Sequence, residues 1–589
     1  MNQEIHVFTM GDDNNSGSET APLKTISEAS RRAMPGDIIT VHSGTYREHI
    51  DPPRGGTSLD KPIIYRAAPG EKVVIKGSEE VQHWTPFRNR VFQLVLANEF
   101  FGDDNPFGEK LDGHWFLDQN KIHHRGSVYV NEHWLAEADS LEDLLSPHVG
   151  EARWWGQVNE THTTLYAEFK GADPDHVKVE VSVRDRVFYP SKAGINYLVV
   201  RGFHMMHAAT PWAPPTTEQV GVLGTHWGKG WVIEDNHIAY SACSGITLGK
   251  FRDPDDFRPL VEFTNKDTYH ETIDKAHARG WNQEIVGGHL VRRNEVSHCE
   301  MAGICGSLGA INCVIEDNHV HHIHVRRRYF GYEMAGIKFH APIDSMIRHN
   351  RIHHCYRGIW LDWMTQGTRV SANILWDNGP MHDLFIEVNH GPFVIDNNLL
   401  LSPLNLQNWS EGGLYAHNLF AGKVEQQAVL NRTTPYHPIH STEVAEMRAI
   451  VGGDDSFINN IFCQANSFLG YKDDEGNPSV FLNNNLCEKA IKGKSPAHVE
   501  QLLPEWFSCE RDGYLHLNFK WTRAWPTASS WVQGKNLKAT RISQQLFLDY
   551  DGKLLQLDED VLGQKRSEHS PCMGPWEVSN ATFHTQIKI

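Results

Sequence analysis

Asp362, in Ile359-Trp-Leu-Asp-Trp363, and Glu387, in Leu384-Phe-Ile-Glu-Val388, are acids set in apolar runs 25 residues apart. A charge in such a setting is costly unless it is paired or used. Two carboxyl groups held close together cannot both ionise freely, so one keeps its proton and becomes suited to general-acid work. Hydrolysis of a glycosidic bond needs such a pair. A spacing of about 5–5.5 Å gives retention of anomeric configuration and about 6.5–9.5 Å gives inversion. The competing reading, in which each acid merely faces solvent, suits a lone Asp better than two acids at matched positions.

What would match them is a repeat. Over 229–463 a pattern of apolar-x-x-Asn-x-apolar recurs, at VIEDNHI, LVRRNEV, VIEDNHV, MIRHNRI, RVSANIL, FVIDNNL and FINNIF. Its asparagines are Asn236, Asn294, Asn318, Asn350, Asn373, Asn397 and Asn460. Several repeats continue into Gly-apolar-x-apolar, as at Gly245-Ile246, Gly303-Ile304, Gly336-Ile337 and Gly358-Ile359. Most steps are 23 to 32 residues, the length of one coil of a parallel β-solenoid. Two longer gaps are expected to hold excursions. Stacked strands lie ~4.8 Å apart, so a 25-residue offset sets the two carboxyls about one rung apart.

The same pattern organises the rest of the chain. Residues 1–77 read as the first coils, with a capping helix over 22–33 that turns Ile26, Ala29 and Ala33 inward. The pattern vanishes over 78–184, where short alternating strands and turns suggest an inserted β-sandwich. It resumes at Tyr197-Leu-Val-Val, so 185–589 is expected to be β-helix again. Residues 251–284 form an excursion, helical over 271–279, and the tail beyond 465 packs along the solenoid or closes it.

Composition narrows the function. The 589 residues carry 55 basic and 73 acidic side chains, a net charge of -18 that disfavours nucleic acid and anionic membranes as partners. The 18 Trp suit neutral sugars, on whose apolar faces indoles stack. Nine Cys without CxxC or zinc spacing indicate a reduced chain, and no metal ligands are expected. The start, MNQEIHVFTM, has neither a basic region nor an apolar core, and no stretch is long enough to span a bilayer. A cytoplasmic location is the expectation.

Further candidates surround the acid pair. Glu333, Lys338 and His340 lie one coil before Asp362, and Lys338 and His340 share a face by strand parity. Trp360 and Trp363 flank Asp362; one is expected to enter the core and the other to wall a sugar site. Arg369, His390 and Trp212 are weaker candidates for substrate contact. The segment 99–116, with Phe100, Phe101, Phe107, Trp115 and Phe116, reads as a contact surface for a neighbouring subunit, and Trp115 as part of a shared pocket.

At these residues the chain resembles glycoside hydrolase family 120, the β-xylosidases built on a right-handed parallel β-helix. The strings that carry the likeness are 207–215 (HAATPWAPP), 333–340, Trp360-Leu-Asp-Trp363, 366–371 (QGTRVS), Glu387-Val-Asn-His-Gly-Pro392 and 440–445 (HSTEVA). The resemblance implies Asp362 as nucleophile and Glu387 as acid/base. It also implies an inserted sandwich, a homotetramer and a retaining, exo-acting xylosidase for xylobiose and short β-1,4-xylo-oligosaccharides. No cofactor is called for; a structural Ca2+ is the one ion left open. Two departures touch the sugar subsites: a loop over 376–382 about two residues longer than the family pattern, and Tyr332 where that pattern has His. A polysaccharide lyase and a non-catalytic carbohydrate-binding solenoid are the alternatives on the same fold. The acidic balance weighs against a uronate-cleaving lyase.

Overall fold

The computed structural model describes residues 3–254, 266–463, 480–487, 498–500, 505–520, 524–578 and 582–588. It is a right-handed parallel β-helix interrupted by a mainly antiparallel β-sandwich, and it divides into two compact units. The first comprises 1–263, 294–309 and 322–334; the second comprises 264–293, 310–321 and 335–589.

In the first unit, strands Glu4–Val7, Ile38–Val41, Ile63–Ala67, Leu198–Arg201 and Val232–Glu234 pair in parallel, in that order. The short helix Ile26–Arg32 lies beside the first of them, capped by the Thr25 hydroxyl and burying Ile26, Ala29 and Ser30. Between two paired coil strands, Val73–Lys76 and Phe203–Met206, the chain leaves the solenoid. Residues 78–182 form a four-stranded and a five-stranded sheet. Trp84, Leu94, Phe101, Phe107, Trp154, Leu165 and Val181 fill their interior. Phe101 and Phe107 of the aromatic-rich segment are therefore core residues. Phe116 packs on Trp212 and Tyr329 at ring distances of 5.2 Å each. Most of the aromatics expected to face a neighbouring subunit are satisfied within the chain; Phe100 stays exposed.

The second unit holds the regular coils. Its first sheet runs through Leu290–Arg292, Val314–Glu316, Met346–Arg348, Thr368–Ser371, Phe393–Asp396, Gly413–Ala416 and Asp455–Ile458. Its second runs through His319–His321, Arg351–His353, Ile374–Trp376, Leu399–Leu400, Leu419–Phe420 and Ile461–Phe462. The corner between these sheets is an asparagine ladder. Asn318, Asn350, Asn373, Asn398, Asn418 and Asn460 each donate side-chain and backbone hydrogen bonds to the asparagine of the next coil at 2.9–3.0 Å, the last to Asn485. The residue before each is left-handed, from Asp317 (φ 56°) to Asn484 (φ 49°). That turn points the amide into the stack, where it satisfies peptide groups that the corner would otherwise leave unpaired.

Two readings of the repeat change here. The ladder member is Asn398, because Asn397 occupies the left-handed corner position (φ 56°) and bonds to Asp396 and Arg566 instead. The gap before Asn460 contains a complete coil built on Asn418, followed by the antiparallel hairpin Val429–Tyr436 and Glu446–Ile450. The excursion at 251–284 includes the helix Lys266–Ala278, longer than the helical span expected from sequence; 255–265 lie outside the described residues. The tail covers the outer faces of the coils. Val532, Phe547, Leu555 and Leu557 pack on Val394 and Leu414 of the first sheet, and Leu517, Trp525 and Trp576 pack with Trp376 and Leu399 of the second. Among the described residues no helix is long and apolar enough to cross a membrane.

Breaking the ladder should be costly. Asn350→Ala strands the Asn318 amide groups and the Ile315 carbonyl in a dry interior. We expect a loss of about 3 kcal/mol, read as a lowered urea midpoint, against under about 0.5 kcal/mol for the exposed Asn14→Ala. Equal midpoints would remove the ladder from the account of stability.

Candidate active site

The third sheet of the second unit carries the two acids. Its strands are Ala335–His340, Ile359–Asp362, Leu384–Glu387, Leu404–Trp409 and Lys423–Gln426, all parallel. Strand parity sorts their side chains. Ile337, Ile359, Leu384 and Leu406 are register partners, and each is fully buried in the coil interior. On the opposite face two rows run across the strands: Lys338, Trp360, Phe385, Gln407, and beside it His340, Asp362, Glu387, Trp409. Asp362 and Glu387 are thus direct neighbours on adjacent strands, pointing the same way. Immediately after each, the backbone turns left-handed, at Trp363 (φ 24°) and at the β-branched Val388 (φ 48°). A Val in that region is strained, which marks the corner as over-determined by its surroundings.

The two carboxyl groups sit in different surroundings. Asp362 Oδ1 accepts the Trp363 backbone N–H at 2.9 Å. Its Oδ2 lies 3.4 Å from Lys338 Nζ and 3.3 Å from His340 Nε2. The Lys338 ammonium also stands 3.3 Å from the centre of the Trp360 ring. Glu387 accepts from Trp360 Nε1–H at 3.1 Å on Oε2 and from Arg432 Nη2 on Oε1. Burial, and secondarily the Asp362 charge, push the Glu387 carboxyl above the ordinary range, although Arg432 and Lys338 pull the other way. One acid faces an ammonium, an imidazole and a peptide N–H, and its neighbour is biased toward the protonated form.

Trp360 does not point into the coil interior, because the inward positions of that strand are Ile359 and Leu361; both tryptophans are nonetheless buried, Trp360 among Ala335 and Phe385. Trp360 lies on the acid face, and Trp363 packs edge-on to Tyr269 at 4.8 Å beneath Arg432. Two other candidates serve the scaffold. Arg369 is bound to Asp396 and Asp549, joining the first sheet to the tail. His390 spends one ring nitrogen on Glu411 and the other on the Thr434 and Arg448 carbonyls, anchoring the hairpin. Glu333, Trp115 and Trp212 belong to the first unit. Glu333 is buried, Trp212 donates to the His114 carbonyl at 2.8 Å, and Trp115 adjoins the pairing of Phe116–Leu117 with Phe330–Gly331.

Sequence reasoning missed Arg432, Arg357, Trp409 and Tyr269. Arg357 is positioned by the strand that follows it, with its guanidinium 4.2 Å from both the Trp360 and the Phe385 rings. Arg432 arrives on the hairpin excursion and carried no signal, since its strand obeys no coil register.

Comparison with known proteins gives a family. A family model described as the insertion domain of glycoside hydrolase 120 matches residues 81–181, one described as a right-handed beta helix region matches 220–408, and a protein-of-unknown-function model, DUF1565, matches 9–52. A solved structure, that of XylC in complex with xylose, is 37% identical, covers 99% of this chain and 100% of its own, and superposes with a TM-score of 0.93. The uncharacterized protein YwoF of Bacillus subtilis is 37% identical over 73 residues, which is 12% of this chain and 15% of YwoF. With a full-length relative at that identity, and the insertion-domain match at the interruption of its coils, the chain belongs to glycoside hydrolase family 120.

Proposed function

We propose that this protein is a retaining β-xylosidase that removes xylose from the non-reducing end of xylobiose and short β-1,4-xylo-oligosaccharides. The observation that carries the reading is the register pairing of Asp362 with Glu387 in one row of adjacent strands, on the face that points away from the coil interior. Neighbouring strands hold equivalent positions ~4.8 Å apart, a separation suited to double displacement rather than to single inversion with an interposed water. Family membership supports the reaction class, and the relative whose complex contains xylose supports the sugar.

Asp362 attacks the anomeric carbon while Glu387 gives its proton to the departing glycosidic oxygen, leaving a xylosyl ester on Asp362. Water then attacks the same carbon, Glu387 takes its proton, and the Asp362 carboxylate leaves. Lys338 supplies positive charge beside Asp362, and the His340 ring lies against the same carboxylate oxygen. Trp360 orients Glu387 through its indole N–H. Tyr269 on Trp363, and Arg432 above it, wall the pair on one side, which favours a terminal sugar over a bond within a chain. The chemistry needs two carboxyls and water, and no cofactor.

A panel of aryl glycosides followed by xylobiose tests this reading. We expect hydrolysis of the aryl β-xyloside and release of xylose from xylobiose, with the β-anomer appearing first by NMR. Turnover of another glycoside in place of the xyloside would discard the sugar, and first appearance of the α-anomer would discard double displacement.

A further inference from the structure

The outer face of the second sheet in the same unit carries a cluster of imidazoles that the glycosidase reading does not use. His321, His353 and Trp376 are register partners on adjacent strands. Their rings stack, His353 on Trp376 at 4.2 Å and 17° and His321 on His353 at 5.2 Å and 9°. His319 Nε2 lies 2.8 Å from His353 Nε2. His354 would point to the other face of a regular strand, but its left-handed backbone (φ 51°) swings the ring back, and its Nδ1 stands 2.6 Å from His353 Nδ1. Glu510, on strand Glu505–Arg511 of the C-terminal three-stranded sheet, reaches the same spot. One potential ligand atom each from His353, His354 and Glu510 falls within 4.8 Å of the others.

We propose that His353, His354 and Glu510 bind a divalent transition-metal ion, Zn2+ by donor type, which pins the C-terminal sheet to the coil. Two imidazole nitrogens and one carboxylate oxygen form a borderline donor set that suits zinc and its neighbours; Ca2+ and Mg2+ prefer oxygen alone. The surrounding contacts have the character of an outer shell. With the ion on the two Nδ1 atoms, His353 keeps its proton on Nε2 and donates it to His319 Nε2. Trp376 Nε1–H holds Glu510 through Oε1, which leaves Oε2 for the ion, and its indole fixes the His353 ring by stacking. The 155 residues between His354 and Glu510 are why no ligand spacing shows in the sequence.

The full-length protein, stripped with a chelator and dialysed, is titrated with Co2+ and then challenged with Zn2+. The expected result is one equivalent of Co2+ with visible absorption bands, bleached by one equivalent of Zn2+. Glu510→Gln preserves the hydrogen bond from Trp376 and should weaken binding by about tenfold or more, as should His354→Ala. The exposed His176→Ala should bind as wild type. Hydrogen exchange should slow over 505–520 on adding Zn2+ and stay unchanged over 359–387. No Co2+ band in the wild type, or Glu510→Gln binding as tightly as wild type, would overturn the site. Unaltered exchange over 505–520 despite stoichiometric binding would overturn its pinning role.

Discussion

Asp362→Ala is expected to abolish turnover of every xyloside tested, by at least about 10⁴-fold in kcat, because removing a nucleophile takes away the covalent path itself. Leaving-group quality should not soften the loss: an activated aryl xyloside still requires something to attack its anomeric carbon. Two readouts separate this from unfolding. The variant should still unfold cooperatively, since Asp362 points away from the coil interior, although the buried Lys338 loses this partner and some stability goes with it. External azide or formate, small enough to occupy the vacated carboxylate position, should restore activity on the aryl substrate with inverted configuration. Residual activity within about 100-fold of wild type, with no response to azide, would move the nucleophile elsewhere, and a protein that binds xylo-oligosaccharide unaltered yet never cleaves it would point to a binding solenoid.

The parts of the fold legible in the sequence were those dictated by periodicity. An inward Ile or Leu at every second position, a Gly at the start of a strand and an Asn at each corner are requirements of stacking, and they recur because each coil meets the same neighbours. The misassignment of Asn397 shows the limit of such reading. In Asp396-Asn397-Asn398 either amide satisfies the pattern, and only the left-handed φ of 56° at Asn397 decides which one enters the ladder. The coil at Asn418 was missed for a related reason. Tyr415-Ala-His-Asn-Leu-Phe420 keeps the spacing, but with an aromatic hydroxyl-bearing residue where the other coils mostly have Ile or Val, and its backbone supplies the same bonds.

The acid pair was legible because it obeys that period: Asp362 and Glu387 occupy equivalent places in successive coils, and register alone makes them neighbours. Trp360 was misjudged as possible core although parity already assigns it to the Asp362 face, two residues away on the same strand. Arg369 and His390 share a coil with the site yet serve the scaffold, because a buried cation or imidazole beside an unpaired Asp, Glu or carbonyl is first of all a structural partner. Arg432 shows the opposite failure. A residue delivered by an excursion answers to no period, and its partner, Glu387, lies 45 residues away in the chain.

Glu387→Gln should divide substrates by leaving group. General-acid assistance is worth about 10²–10⁴-fold, so xylobiose, whose departing sugar alkoxide needs a proton, should lose that much. A dinitrophenyl xyloside, whose leaving group departs without one, should keep its first step and stall at the xylosyl ester, giving a burst followed by slow turnover. The pH profile follows from the same group. Glu387 acts while protonated, and its carboxyl is pushed up by burial and by Asp362, so activity on xylobiose should fall as pH rises through that raised value. Arg432 opposes the shift by stabilising the charged form. Its removal in Arg432→Gln should therefore carry the alkaline limb of kcat to higher pH, while an unmoved limb would mean that another group supplies the proton. Equal losses on xylobiose and on the dinitrophenyl xyloside in Glu387→Gln would refute its role as the acid, since only the first of these leaving groups depends on proton delivery.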